Sequence, residues 1–149
     1  MKLVIQRVRE AAVRIDGEEV ARIGPGALVL VGVAEGDTQD DALFLAAKTA
    51  KLRIYDDERG QMNRAIDAVD GAFLAVSQFT LYADCRKGNR PSYIQAAQPE
   101  AAQQLYERYV EALRASGHHV QTGRFRENMQ VSLVNDGPVT IIMESCGRG

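Results

Sequence analysis

Apolar and polar positions follow two rhythms along this chain, and the rhythm changes wherever glycine, proline or a run of charge intervenes. Leu3–Val8 and Ala12–Ile15 are rich in β-branched residues and read as strands. Asp16-Gly17 is a turn signal, and Val20–Ile23 can pair back across it. Gly24-Pro25-Gly26 breaks the chain before Ala27–Val33, a nearly continuous apolar run short enough to be a buried strand. Thr38, with Asp41 three residues on, resembles a capping box in which Asp replaces the preferred Glu. The helix it opens places Leu43, Ala46, Ala47 and Ala50 on one face. Asp56–Gly60 reads as a polar loop, Ala72–Gln78 as a second apolar strand, and Asp84–Pro91 as an exposed loop. Pro99 suits the first position of a second helix, along which Leu105, Tyr106, Tyr109 and Leu113 form an apolar stripe until Ser116-Gly117 stops it. Val120–Phe125, Met129–Val134 and Val139–Glu144 are strand-like, and the last two flank Asn135-Asp136-Gly137-Pro138 as the arms of a hairpin would.

That order, with no linker, low-complexity segment or solenoid-length repeat, predicts a single α/β domain over residues 1–149. Two helices are few for so many apolar strands. The expected architecture is a mixed or antiparallel, curled, barrel-like sheet with two main helices packed outside.

Charge narrows the possible partners. A formal net charge of −2 and a pI near 5.7 do not suit a protein that wraps nucleic acid over its whole surface. RNA binding would have to rest on local patches: Arg86, Lys87 and Arg90 in one loop, Arg124 with Arg126 in another segment. The two cysteines, Cys85 and Cys146, are read as free thiols, because their spacing gives neither a disulfide framework nor a metal motif. The N-terminus enters a strand pattern without the apolar region of a signal peptide, and no stretch approaches the roughly 18 apolar residues of a membrane span. The cytoplasm is the expected location, with no membrane association.

The familiar catalytic constellations are missing from the sequence. It has no HExxH, CxxC, GxGxxG or GxxxxGK[ST], so no metal and no cofactor is expected. The only histidines, His118 and His119, are adjacent and read as surface loop residues. Two short segments remain. Ser77-Gln78-Phe79-Thr80-Leu81 ends an apolar strand with hydroxyls, an amide and an aromatic ring. Strand periodicity puts Gln78 and Thr80 on one face and Ser77 and Phe79 on the other, unless the strand bends there. By itself this is an ordinary strand end. Asn135–Thr140 carries Gly-Pro between two strands, which by itself is an ordinary turn.

Taken together, the two segments resemble the D-aminoacyl-tRNA deacylase family. Ser77-Gln78-Phe79-Thr80 follows the order of that family's SQxxT pattern, with the threonine one place earlier. Asn135-Asp136-Gly137-Pro138-Val139-Thr140 fits its NxGPxT pattern. Gln6-Arg7-Val8, Arg90-Pro91-Ser92, Thr122–Phe125 and Met129–Leu133 also match, so the likeness spans nearly the whole chain.

The resemblance implies a homodimer that hydrolyses the ester at the 3′ end of D-aminoacyl-tRNA, and of glycyl-tRNA, with each active site at the subunit interface. It implies a cis Gly137–Pro138 bond whose two carbonyl oxygens enter the partner's pocket and receive the substrate α-ammonium. A side chain of L configuration would clash with that motif, while glycine would pass. Arg7 would clamp the motif. Ser77, Gln78, Phe79 and Thr80 would line the scissile ester, with Phe79 near the terminal adenosine, and Met129 would help bind the substrate. Arg86, Lys87, Arg90 and Arg124 would meet tRNA phosphates. An aminoacyl ester is activated and needs little acid–base help, which fits the missing constellations. Thr80 has no evident base to make it a nucleophile, so positioning is expected, with the Phe79 and Thr80 amides as an oxyanion site and the ribose hydroxyl assisting water. Three rivals make different predictions: a related deacylase with a trans Gly-Pro bond and relaxed chirality, a non-catalytic dimeric RNA-binding module indifferent to Gly137 and Pro138, and a purely structural small domain, against which the joint motif match weighs.

Overall fold

The computed structural model describes residues 1–145, so Cys146 lies outside the described residues. The long strand β1 (Lys2–Ile15) organises the sheet. Along one edge it pairs antiparallel first with β3 (Gly26–Gly32), through residues 2–8, and then with β2 (Glu18–Ile23), through residues 11–15. Along its other edge it pairs antiparallel with β8 (Gln130–Glu144), from Lys2↔Glu144 to Arg14↔Gln130. Beyond β3 the sheet is parallel: β6 (Ala72–Ser77) joins β3, and β7 (Val120–Thr122) joins β6. Parallel neighbours need crossover connections. α1 (Gln39–Ala50) lies within the first crossover and α2 (Pro99–Ala115) within the second. β2 returns against β6 and β7, which curls the mixed sheet into a nearly closed barrel with two helices outside.

The apolar run at β3 has a simple cause. Ala27, Val29 and Val31 face the core under the helices, while Leu28 joins a second core inside the curl with Val8, Ala11, Ile23, Leu74 and Val76. A strand buried on both faces cannot alternate with polar residues. The helices pack through Leu45 of α1 and Leu105, Tyr109 and Leu113 of α2. Tyr109 donates to Thr49 Oγ1 at 3.0 Å, and Thr49 donates to the Leu45 carbonyl at 2.7 Å. Tyr106 donates to the Ala75 carbonyl of β6 at 2.8 Å, so α2 is pinned directly to the strand that leads into the site.

Several expectations shift. The buried face of α1 is Ala42, Leu45, Ala46, Thr49 and Ala50; Leu43 is only half-buried and Ala47 is exposed. Alanines fit either stripe, and the Thr49–Tyr109 contact fixes the choice. Asp41 does accept the Thr38 amide, at 2.8 Å. The polar loop at 56–60 is the turn of a small hairpin, β4 (Tyr55–Asp56) with β5 (Met62–Arg64). His118 is largely covered, edge-on to Phe73 with ring centroids 5.5 Å apart.

The expected 129–144 hairpin is instead the single strand β8, with 15 residues, both halves pairing with β1. Gln6 faces Thr140 and Val8 faces Asn135, so a two-residue step on β1 matches a five-residue step on β8. The surplus forms a bulge opposite Arg7. The chain keeps its direction through the bulge because both halves of β8 pair with β1. Among the described residues the other edge of β8 pairs with no strand. No helix among them is long and apolar enough to cross a membrane.

Candidate active site

β6 ends at Ser77. The Gln78 amide continues the ladder by donating to the Val31 carbonyl at 2.8 Å, and the chain then bends into a single 3-10 turn, Phe79–Tyr82. Strand alternation therefore stops where the motif begins. The bend brings Ser77, Gln78, Phe79 and Thr80 onto the wall of one cavity of about 640 Å³. Facing them are Tyr93, the Ala96–Pro99 segment, Ala102 of α2, and Phe125–Met129. Gln78 Nε2 donates to Thr80 Oγ1 at 3.0 Å, fixing both side chains. Leu81 N–H, bonded to the Gln78 carbonyl at 3.3 Å, is the first amide used inside the turn. The Phe79 and Thr80 amides precede it, and among the described residues neither donates to a backbone carbonyl. Phe79 is 55% exposed at the mouth, with its ring 5.1 Å from that of Tyr93. Met129 lines the cavity and takes the Arg124 amide on its sulfur at 3.4 Å. Gly123 makes that seat possible: a Cβ there would stand 2.6 Å from the Met129 sulfur.

The second segment is elsewhere. Gly137 and Pro138, joined by a cis bond, are exposed, and neither they nor Arg7 line the cavity of their own chain. Arg7 is buried. Its Nε donates to the Asp136 carbonyl at 2.8 Å, and its Nη1 donates to the Ile54 carbonyl at 2.8 Å and to Asp56 Oδ1 at 3.3 Å. Asn135 brackets the bulge from inside: its Oδ1 accepts the Val139 amide at 2.7 Å, and its Nδ2 donates to Thr140 Oγ1 at 3.2 Å. Gly137 has φ +141°, and a Cβ there would stand 2.8 Å from Val139 Cγ2 and 3.1 Å from Arg7 Nη2. The motif assigns Asn135 no role, although an asparagine there can copy a backbone turn with its side-chain amide. Tyr93 was missed, although it follows Arg90-Pro91-Ser92 directly.

The basic residues differ in availability. Arg86 holds Asp84 by two bonds, Nε–Oδ1 at 2.9 Å and Nη2–Oδ2 at 2.7 Å, and these hydrogen bonds keep the Asp84 carboxyl below its ordinary range. Lys87 and Arg90 are exposed and make no ion pair among the described residues, and Arg124 is exposed in the turn beside the cavity. No three His, Cys, Asp or Glu side chains cluster among the described residues as a metal site requires.

The barrel-like α/β fold carries a cavity edged by hydroxyls, an amide side chain and backbone N–H groups that bond no backbone carbonyl, an arrangement suited to holding a small polar group. The sequence profile described as D-Tyr-tRNA(Tyr) deacylase matches residues 4–144, and the chain belongs to that family. It is 55% identical over 145 residues to the D-aminoacyl-tRNA deacylase of Symbiobacterium thermophilum, covering 97% of this chain and 96% of that protein. It is 52% identical to that of Halalkalibacterium halodurans, over 97% and 99% of the two chains. Among solved structures, one described as c-Myc DNA Unwinding Element Binding Protein superposes with a TM-score of 0.91 at 38% identity, covering 97% of this chain and 99% of that one. A probable eukaryotic D-amino acid tRNA deacylase shares the fold, with a TM-score of 0.82 at 15% identity over 96% and 98% of the two chains.

Proposed function

We propose that this protein hydrolyses the ester bond of D-aminoacyl-tRNA, and of glycyl-tRNA mischarged on tRNA(Ala), releasing the amino acid and the tRNA. It does so in the cytoplasm as a homodimer, residues 1–149 of each subunit acting as one domain. The observation that carries this reading is a separation. Ser77, Gln78, Phe79 and Thr80 line the cavity, while the Gly137-Pro138 turn is braced by Arg7 and Asn135 on an exposed strand, away from its own cavity. A rigid backbone feature with nothing to act on in its own subunit suits the cavity of a second copy. The bare edge of β8 and its exposed Val131, Val134 and Ile142 supply the surface for that copy.

In this reading the Gly137 and Pro138 carbonyls receive the α-ammonium of an amino acid bound in the partner's cavity and leave no room for a side chain of L configuration. Ser77, Gln78 and Thr80 orient the ester, Phe79 meets the terminal adenosine, and Met129 packs against the aminoacyl end. The Phe79 and Thr80 amides stabilise the oxyanion as water attacks, with the vicinal ribose hydroxyl assisting the water through a hydrogen bond. Water adds to the carbonyl carbon, the C–O bond to the ribose breaks, and the proton passes to the ribose oxygen. Lys87, Arg90 and Arg124, and Arg86 less because Asp84 already holds it, contact tRNA phosphates.

The test is metal-free deacylation of D-Tyr-tRNA, L-Tyr-tRNA and Gly-tRNA at matched enzyme concentration. Rapid loss of the D and glycyl esters with the L ester spared is the expected result. Equal loss of D and L esters would remove the chiral filter, and no loss of any would leave an RNA-binding dimer. A Thr80→Ala variant should keep measurable turnover; complete loss with tRNA binding intact would count heavily against a positioning role.

A further inference from the structure

We propose that Arg126 is a specificity-determining residue that binds the phosphodiester on the 5′ side of the terminal nucleoside. This rests on the reading of the cavity given above. Arg126 is the one cation among the described residues lining the cavity. Its backbone has φ +65°, the left-handed region that a residue with a Cβ rarely adopts and that glycine adopts freely. Among the described residues two others that are not glycine, Asp16 and Asp70, share this region, but both are aspartates, which turns favour there; such conformations cluster at functional sites and persist where the surrounding structure holds them. Arg86 is tied to Asp84, whereas Arg126 makes no hydrogen bond or ion pair among the described residues. An arginine held in an unfavourable backbone conformation, unpaired, on a cavity wall calls for an anion from the ligand.

The substrate limits which anion that is. The aminoacyl group carries an ammonium at neutral pH, and the ester and ribose are neutral. The fixed negative charge nearest the reacting ester is therefore the phosphate attached to the 5′ oxygen of the terminal nucleoside. Arginine suits it by offering paired N–H donors.

The test uses two fragments, 2′(3′)-O-D-tyrosyl-adenosine and the same ester bearing a 5′-phosphate. The wild-type protein should prefer the phosphorylated fragment about tenfold in kcat/KM, mainly through KM, the scale of one hydrogen bond to a charged group. Arg126→Gly suits the local backbone and should melt no lower than wild type; its preference ratio should fall to about one. Arg126→Lys should restore part of the preference. Equal wild-type rates on the two fragments, or a preference that survives in Arg126→Gly, would overturn the assignment. Failure of the wild type on D-Tyr-tRNA itself would instead strike the deacylase reading, so the two failures are distinguishable.

Discussion

The two motif segments are built in opposite ways. At the end of β6 the backbone is fixed by the sheet, through the Gln78–Val31 ladder bond and the Tyr106–Ala75 bond, and it presents side chains to a cavity. In the bulge of β8, side chains do the fixing, through Arg7 and Asn135, and what they present is backbone. The first arrangement suits recognition of chemical groups. The second can recognise handedness without reading which amino acid is present, because the backbone is the same whatever the substrate side chain. A protein that must treat many amino acids alike by chirality needs its selective element built in the second way.

Breaking the bulge should have the largest effect. Gly137→Ala puts a Cβ against Val139 and Arg7 at a positive φ, displacing both carbonyls. Deacylation of D-Tyr-tRNA should fall about 100-fold or more in kcat/KM, the scale of small misplacements at a reacting centre. Circular dichroism should show the fold retained, and an unchanged rate would separate the bulge from the chemistry. Arg7→Lys comes next: it keeps the charge but cannot reach the Asp136 and Ile54 carbonyls together. It should cost about 2 kcal/mol in denaturant unfolding, with deacylation reduced about tenfold. A variant that loses stability without losing activity would show that the clamp serves the fold alone. The smallest effect sharpens the contrast from the other side. Tyr109→Phe removes one buried bond to Thr49, at residues that do not line the cavity, and should cost about 1 kcal/mol while leaving deacylation unchanged.

The same contrast explains what could be read in advance. Strands and helices with strong periodicity, such as β3 and α2, were legible because burial on one or both faces writes itself into the apolar pattern. The stripe of α1 was misplaced because alanine fits several faces equally, and a tertiary contact at Thr49 decided. The cavity wall at Ser77–Thr80 was legible as a set of residue types but not as a surface, since the 3-10 turn that gathers them has no periodic signal. The bulge was mistaken for a hairpin turn because Asn-Asp-Gly-Pro serves either use. What separates them is the partner, β1 along the full length of β8, and pairing over some 130 residues is invisible to local pattern. Arg126 left no trace beyond its charge, because the feature that singles it out is a backbone angle.

The bulge also bears on how the chain avoids associating wrongly. β8 has 15 residues, and its free edge would, if straight, offer a long uninterrupted row of amides and carbonyls to any extended segment in solution. Such edges seed fibrous aggregates. Pro138 contributes no N–H to that row, and the bulge around it divides the edge into two shorter runs that no continuous strand can follow in register. The turn proposed to present two carbonyls for selection therefore also acts as a gatekeeper, closing the edge to a growing β-ribbon.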